Sequence, residues 1–228
     1  MPFVEVIIPT LSTEKHDRRA ILHETVNSLR VNLRYSGGLR FLISADGLDP
    51  SGLFAGENDV RVIAGITSLG ANANNLLLHA ESELLFQQDD DLWLQSTLDL
   101  ELHARKLMED DTAGMIRLWG VGYHRLVARL NTFPIKPLDG EYWRCDMQQS
   151  EVYLVSFRPH LKHRRFHDHY GLYHAGFPAG ETEEGMGYKA KAVHKEKGGP
   201  DVLVPLSGLP FDSIYRHVGV DSLRMAGF

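Results

Sequence analysis

Three adjacent aspartates, Asp89-Asp90-Asp91, stand just after the apolar run Leu84-Leu85-Phe86. Carboxylates this close repel one another, so the cluster is unfavourable unless something compensates it. A divalent cation does so. Mg²⁺ and Mn²⁺ take oxygen ligands, and one or two carboxylates plus substrate phosphates is the usual Mg²⁺ arrangement. If Asp89 and Asp91 project to one side, they can serve one metal together. The bland alternative is a solvated acidic turn or helix start, where Asp suits the helix dipole. The apolar Leu92-Trp93-Leu94 that follows weighs against it, because charges wedged between buried elements are costly unless used.

Other charged groups are open to two readings. Glu183-Glu184 reads as the first turn of a helix. Arg158, His160, Lys162, His163, Arg164, Arg165, His167 and His169 form a dense basic stretch. It is either a solvated loop or helix face, or a contact for phosphate or an anionic acceptor. His167-x-His169 is alternatively a transition-metal pair lacking a fixed third ligand. Trp93, Trp119, Tyr142, Trp143 and Tyr173 either pack in the core or stack on a sugar or base.

The elements that must position these groups alternate. Phe3 to Ile8 is a β-branched strand stopped by Pro9. Leu22, Val26, Leu29 and Leu33 mark one face of a helix that Gly37-Gly38 ends. Leu39 to Ala45 and Val60 to Ala64 are strands, Ala71 to Ser82 is a helix, and Glu83 to Gln87 is a fourth strand. This order predicts an α/β fold, a mostly parallel sheet with helices on both faces. Ligands bind beyond the carboxyl ends of such strands, where Pro9, Asp46 and the aspartate run all fall. Further on, Gln95 to Met108 is expected to be helical, and Ala113 to Trp119, Val152 to Phe157 and Val202 to Val204 to be strands. Gly171 to Gly187 reads as loop with a helix start.

Composition excludes several classes. With 228 residues, 43% hydrophobic and 24% charged, the chain is an ordinary globular one, able to bury a core without disulfides. The single cysteine, Cys145, rules out an internal disulfide and fits a reducing, cytoplasmic compartment. A net charge of −6 does not advertise a nucleic-acid binder. Glu5 interrupts the first apolar run, which has no basic flank and so is no signal peptide. No stretch approaches the ~20 apolar residues of a membrane helix. A P-loop motif is absent, and no Gly-x-Gly-x-x-Gly follows the first strand.

Leu85-Phe86-Gln87-Gln88-Asp89-Asp90-Asp91 resembles the strand plus Asp-x-Asp motif of GT-A-fold glycosyltransferases, particularly the family-2-like group. Val6-Ile7-Ile8-Pro9-Thr10 is similar to the group's first strand and nucleotide-contacting loop, and Ser44 to Asp49 to the segment after its second strand. Gly70-Ala71-Asn72-Ala73-Asn74-Asn75 resembles the helix start before the Asp-x-Asp strand. Gly180-Glu181-Thr182-Glu183-Glu184 is similar to the acidic pair that supplies the base. The resemblance spans about residues 3–190.

The resemblance implies a GT-A-type, Rossmann-like single domain with two lobes. Residues 1–92 would be the nucleotide-sugar-binding half and 93–228 the acceptor and catalytic half. The length matches a GT-A core, with no further acceptor or membrane domain expected. The implied reaction moves a sugar from a nucleotide-diphosphate sugar to an acceptor hydroxyl, with inversion. Pro9, Thr10, Asp46, Asn74, Asp89 and Asp90 are the implied nucleotide-sugar contacts. Asp89 and Asp91, with His217 as third ligand, are implied to hold Mn²⁺ or Mg²⁺, which stabilises the departing diphosphate. Glu184 is the first choice of general base and Glu183 the second. A UDP-sugar is among the donors this allows. The acceptor is a glycan, a lipid-linked sugar, a small molecule, a protein or a nucleic-acid base.

The sequence also departs from the pattern. Ala45 stands where the group often has an aspartate that reads uracil, and Asn74 where Arg is common. The Gln-x-x-Arg-Trp motif of processive synthases is missing. A nucleotidyltransferase would share the metal aspartates, but Pro9 to Thr13 lacks its glycine-rich loop. A binding module without turnover is the third reading.

Overall fold

Strands buried on both faces must be apolar along their length, and the N-terminal runs are of this kind. The computed structural model describes residues 2–118, 135–150, 152–206 and 214–218. In it β1 (Val4–Ser12) lies between β3 (Leu39–Gly47) and β5 (Leu84–Gln87), with β4 (Val60–Ala64) outside β3, all parallel. Two helices connect these strands and cover opposite faces. Leu22, Val26 and Leu29 of α1 (Arg19–Asn32) pack with Val4, Val6 and Ile8. Ala73, Leu76 and Leu77 of α2 (Leu69–His79) pack with Ile7 and Leu42.

Beyond β5 the sheet is mixed. β11 (His160–His163) runs antiparallel between β5 and β8 (Ala113–Arg117), and β12 (Asp201–Pro205) runs parallel to β8. β10 (Tyr142–Cys145) and β9 (Ile135–Pro137) add an antiparallel edge. The described sheet thus has nine strands, ordered β4-β3-β1-β5-β11-β8-β12-β10-β9. Helices α3 (Glu101–Glu109), α4 (Arg165–Tyr170) and α5 (Ala179–Lys197) complete the layers. Two small ladders pair β2 (Leu33–Arg34) with β7 (Leu98–Asp99), and β6 (Leu92–Leu94) with β13 (Tyr215–His217). None of the described helices is long and apolar enough to cross a membrane.

Several expectations need correction. Pro9 does not stop the first strand, which continues to Ser12. Val4 donates its N–H toward β3 at Gly38, whereas Ile7 turns its carbonyl toward β5 at Gln88. Pro9 shares the parity of Ile7, so its missing N–H faces the side where β5 has already ended at Gln87. α1 ends at Asn32, ahead of Gly37-Gly38, because Leu33–Arg34 pairs with Leu98–Asp99. That pairing also splits the expected helix at Gln95 to Met108, and Asp99 accepts the Glu101 N–H at 2.8 Å where α3 begins. The segment from Val152 is a short 3₁₀ turn, Val152–Val155, since β11 and β12 already occupy both sides of β8.

The basic stretch is the largest difference. His160 to His163 form an inner strand, and Lys162 is fully buried. Its ammonium contacts Gln87 Oε1 at 3.3 Å and His167 Nε2 at 3.0 Å, and burial pulls its pKa down to about 7. His167 and His169 do not form a metal pair. His167 is spent on Lys162 and the Gly171 carbonyl, while His169 contacts the Gly198 carbonyl at 2.8 Å.

Candidate active site

The carboxyl ends of β1, β3 and β5 open into a cavity of about 400 Å³, a volume suited to a small-molecule ligand. Pro9 and Thr10 of β1, Asp46 of β3 and the run Asp89 to Asp91 after β5 line it. The second half of the chain adds Phe157, Arg158, Ala179, Glu183 and His217. Arg158 is the residue of the basic stretch that reaches the cavity; the buried His160 and Lys162 do not line it.

The three aspartates have separate environments. Asp90 is buried, accepts the Thr10 hydroxyl at 2.5 Å and pairs with Arg18 at 2.8 Å. Burial outweighs those contacts and lifts its carboxyl to about 6. Asp91 pairs with the same Arg18 nitrogen at 2.5 Å. Asp89 is raised well above the ordinary range, first by burial and then by the charges of Asp91 and Asp90. Its charge also feels Glu183, so the two carboxylates share one electrostatic site.

His217 is carried here by a ladder remote in sequence. β13 pairs antiparallel with β6 in the register His217 to Leu92, and Val218 donates its N–H to the Asp91 carbonyl at 2.9 Å. His217 Nε2 then stands 3.6 Å from Asp91 Oδ1. Among the described residues no three His, Cys, Asp or Glu side chains converge as a formed metal site. The donor chemistry nevertheless fits a divalent cation. Asp89 and Asp91 offer carboxylates, and His217 offers an imidazole 3.6 Å from Asp91, a set of oxygen and nitrogen donors on one cavity wall.

Glu183 and Glu184 part company on α5. Glu183 faces the cavity and accepts the Phe157 N–H at 2.6 Å. Burial raises its carboxyl, opposed by that hydrogen bond and by the charges of Arg117 and Arg158. Glu184 lies in a separate open groove with His174, Phe177 and Tyr188.

Asn72 and Asn74 also differ from expectation. Asn74 is turned away from the cavity, exchanging two 2.9 Å hydrogen bonds with the Tyr173 backbone. Asn72 lines the cavity instead, donating to the carbonyls of Ser44 at 2.9 Å and Thr10 at 3.2 Å. It ties the ends of β1 and β3 to α2. Asn72 lies one turn before the apolar Leu76 on the same helix face, and that phase was the available signal for a buried, bonded role. Ser68, which also lines the cavity, is the sole non-glycine with positive φ among the described residues, at 88°. Such strain is held by its surroundings, here the Ala71 and Gly176 N–H groups that its hydroxyl accepts. Gly70 permits the same approach, since a Cβ there would meet the His174 carbonyl at 2.0 Å. Of the aromatic candidates, Tyr173 is buried and stacks on Phe157 at 4.7 Å, and Tyr142 bonds His103. Neither they nor Trp93 and Trp143 line the cavity, and Trp119 lies outside the described residues.

The sheet order and the cavity at its strand ends define a GT-A-type fold. No family model and no curated protein matches the sequence. Solved structures do match in fold. S. aureus TarS 1-349 superposes with a TM-score of 0.62 at 15% identity, over 98% of this chain and 62% of that one. TarS 1-349 in complex with UDP-GlcNAc gives 0.58 at 16% identity, over 96% and 61%. The mannosyltransferase PcManGT from Pyrobaculum calidifontis, in complex with GDP-Man and Mn²⁺, gives 0.57 at 14% identity, over 98% and 60%. The chain therefore spans about three-fifths of the length of these three.

Proposed function

We propose that the chain is a metal-dependent, inverting glycosyltransferase that moves a sugar from a nucleotide-diphosphate sugar to an acceptor hydroxyl. The observation that carries this reading is the placement of Asp89, Asp91 and Glu183 around one cavity at the strand ends. The fold's likeness to structures holding UDP-GlcNAc, or GDP-Man with Mn²⁺, supports it. Residues 1–92 form the donor side, with Pro9, Thr10, Asp46 and Asn72 around the nucleotide. Residues 93–228 supply the acceptor side through Glu183 and Arg158.

Asp89, Asp91 and His217 would hold Mn²⁺ or Mg²⁺, which supplies charge stabilisation for the departing diphosphate. Glu183 takes the proton of the acceptor hydroxyl at its carboxylate as the new bond forms. Phe157 N–H fixes that carboxylate, and Arg158 favours its ionised form. Direct displacement with one such base inverts the anomeric centre.

The test is a thermal-shift and turnover screen of nucleotide sugars with Mn²⁺. Release of a nucleoside diphosphate is expected. Pyrophosphate release would instead indicate a nucleotidyltransferase, and binding without turnover a binding module. Absence of any shift or turnover across the panel would refute the reading.

A further inference from the structure

One guanidinium nitrogen of Arg18 bridges two members of the aspartate run, 2.8 Å from Asp90 Oδ1 and 2.5 Å from Asp91 Oδ2. Arg18 sits in the cavity wall with its side chain 31% exposed, so ligands can reach it. Its main chain is fixed. The N–H donates to Ser12 Oγ at 3.0 Å, and the carbonyl accepts the Leu22 N–H at 2.9 Å as α1 begins. Only the side chain is left to move.

The two aspartates depend on it unequally. Asp90 keeps the Thr10 hydroxyl if Arg18 leaves, and Thr25 holds its carbonyl at 2.8 Å. Asp91 has Arg18 and, further off, His217. A divalent cation on Asp91 would lie within a few ångströms of the guanidinium. Two like charges at that distance repel strongly in a partly desolvated cavity. A cation on Asp91 Oδ1, the oxygen nearer His217, meets this repulsion for as long as Arg18 stays on Oδ2.

We infer that Arg18 is the resident counter-ion of Asp91, and that a divalent cation must displace it in order to bind. Arg18 thus sets the metal affinity of the cavity as a competitor, not as a ligand. Its remaining guanidinium N–H groups have no partner among the described residues, which leaves the displaced side chain suited to an anion such as a phosphate. The inference rests on the proposed function only in taking Asp91 as a metal ligand.

The experiment is a Mn²⁺ titration, read by the electron paramagnetic resonance of the free ion, with wild type and Arg18→Gln and no nucleotide present. Removing a charge-assisted hydrogen bond from the competing state should tighten Mn²⁺ binding about tenfold or more in the variant. Unchanged or weaker binding overturns the inference. A readout on the wild type guards against a variant that does not fold. Mg²⁺ should change the ¹⁵N guanidinium signal of Arg18 in proportion to occupancy, and a signal that stays fixed while Mg²⁺ binds overturns it too. Turnover of a nucleotide sugar alongside either negative result would sink the Arg18 inference alone. Absence of both Mn²⁺ binding and nucleotide-sugar binding would sink it together with the proposed function.

Discussion

Glu183 and Phe157 are joined in the cavity wall, the Glu183 carboxylate accepting the Phe157 backbone N–H at 2.6 Å. This bond aims the carboxylate into the cavity, while Glu184, one residue on, faces another groove. Glu183→Gln is expected to lower kcat by about 10²-fold or more, the usual reach of general base catalysis, with donor affinity retained. Glu184→Gln is expected to leave kcat within about threefold, well short of that scale. Steady-state kinetics with calorimetric donor binding checks both. The reverse ranking would move the base to Glu184.

The same carboxylate sets a pH dependence. Burial raises the Glu183 pKa, and a base acts only when deprotonated. Activity should therefore fall on the acid side, with a midpoint above the ordinary glutamate value of 4.5. The profile of kcat/KM against pH measures it. A limb that persists in the residual activity of Glu183→Gln belongs to another group.

Asp89 shows the opposing demands of stability and function. Its folded-state carboxyl is raised far above its unfolded value of 3.8, so ionisation costs stability at neutral pH. The cost is absent below about pH 4, where the unfolded state also binds the proton, and grows as pH rises. Asp89→Asn should therefore raise the metal-free Tm at pH 7, with a gain that shrinks toward pH 4. It should also remove the Mn²⁺-dependent increment in Tm that the wild type shows. Melting curves with and without Mn²⁺ decide, and a lowered metal-free Tm would contradict the prediction.

The parallel half of the fold was legible because its signals are local. Val4 to Ile8, Leu39 to Ile43 and Leu84 to Phe86 are apolar runs between turn residues, and α1 has a clean apolar stripe. The strand end that carries Asp89 to Asp91 followed from the same pattern. β11 was hidden because His160, Lys162 and His163 look solvated, and only burial against β5 and β8 shows otherwise. The choice between Glu183 and Glu184 depended on helix phase, since neighbours differ by about 100° around the axis. Arg18 and His217 reach Asp91 through tertiary contacts that no local pattern encodes.

Lys162 offers the last test, one that concerns packing and not turnover. Its ammonium is fully buried with Gln87 and His167 as partners, and no carboxylate pairs with it among the described residues. Burial lowers its pKa from 10.5 to about 7. Between those values the unfolded chain binds the proton more readily than the folded one, so stability rises with pH across this window. Below it the cost of the buried charge is fully present; above it the cost is gone. Lys162→Met removes the charge and keeps an unbranched side chain. The variant should be the more stable protein at pH 7, with its advantage declining by up to about 1.4 kcal/mol per pH unit toward pH 10. Urea denaturation of both proteins at several pH values measures the difference, in which the titration of all other groups cancels. A difference that stays flat from pH 7 to 10 would show that Lys162 keeps its ordinary pKa in the fold.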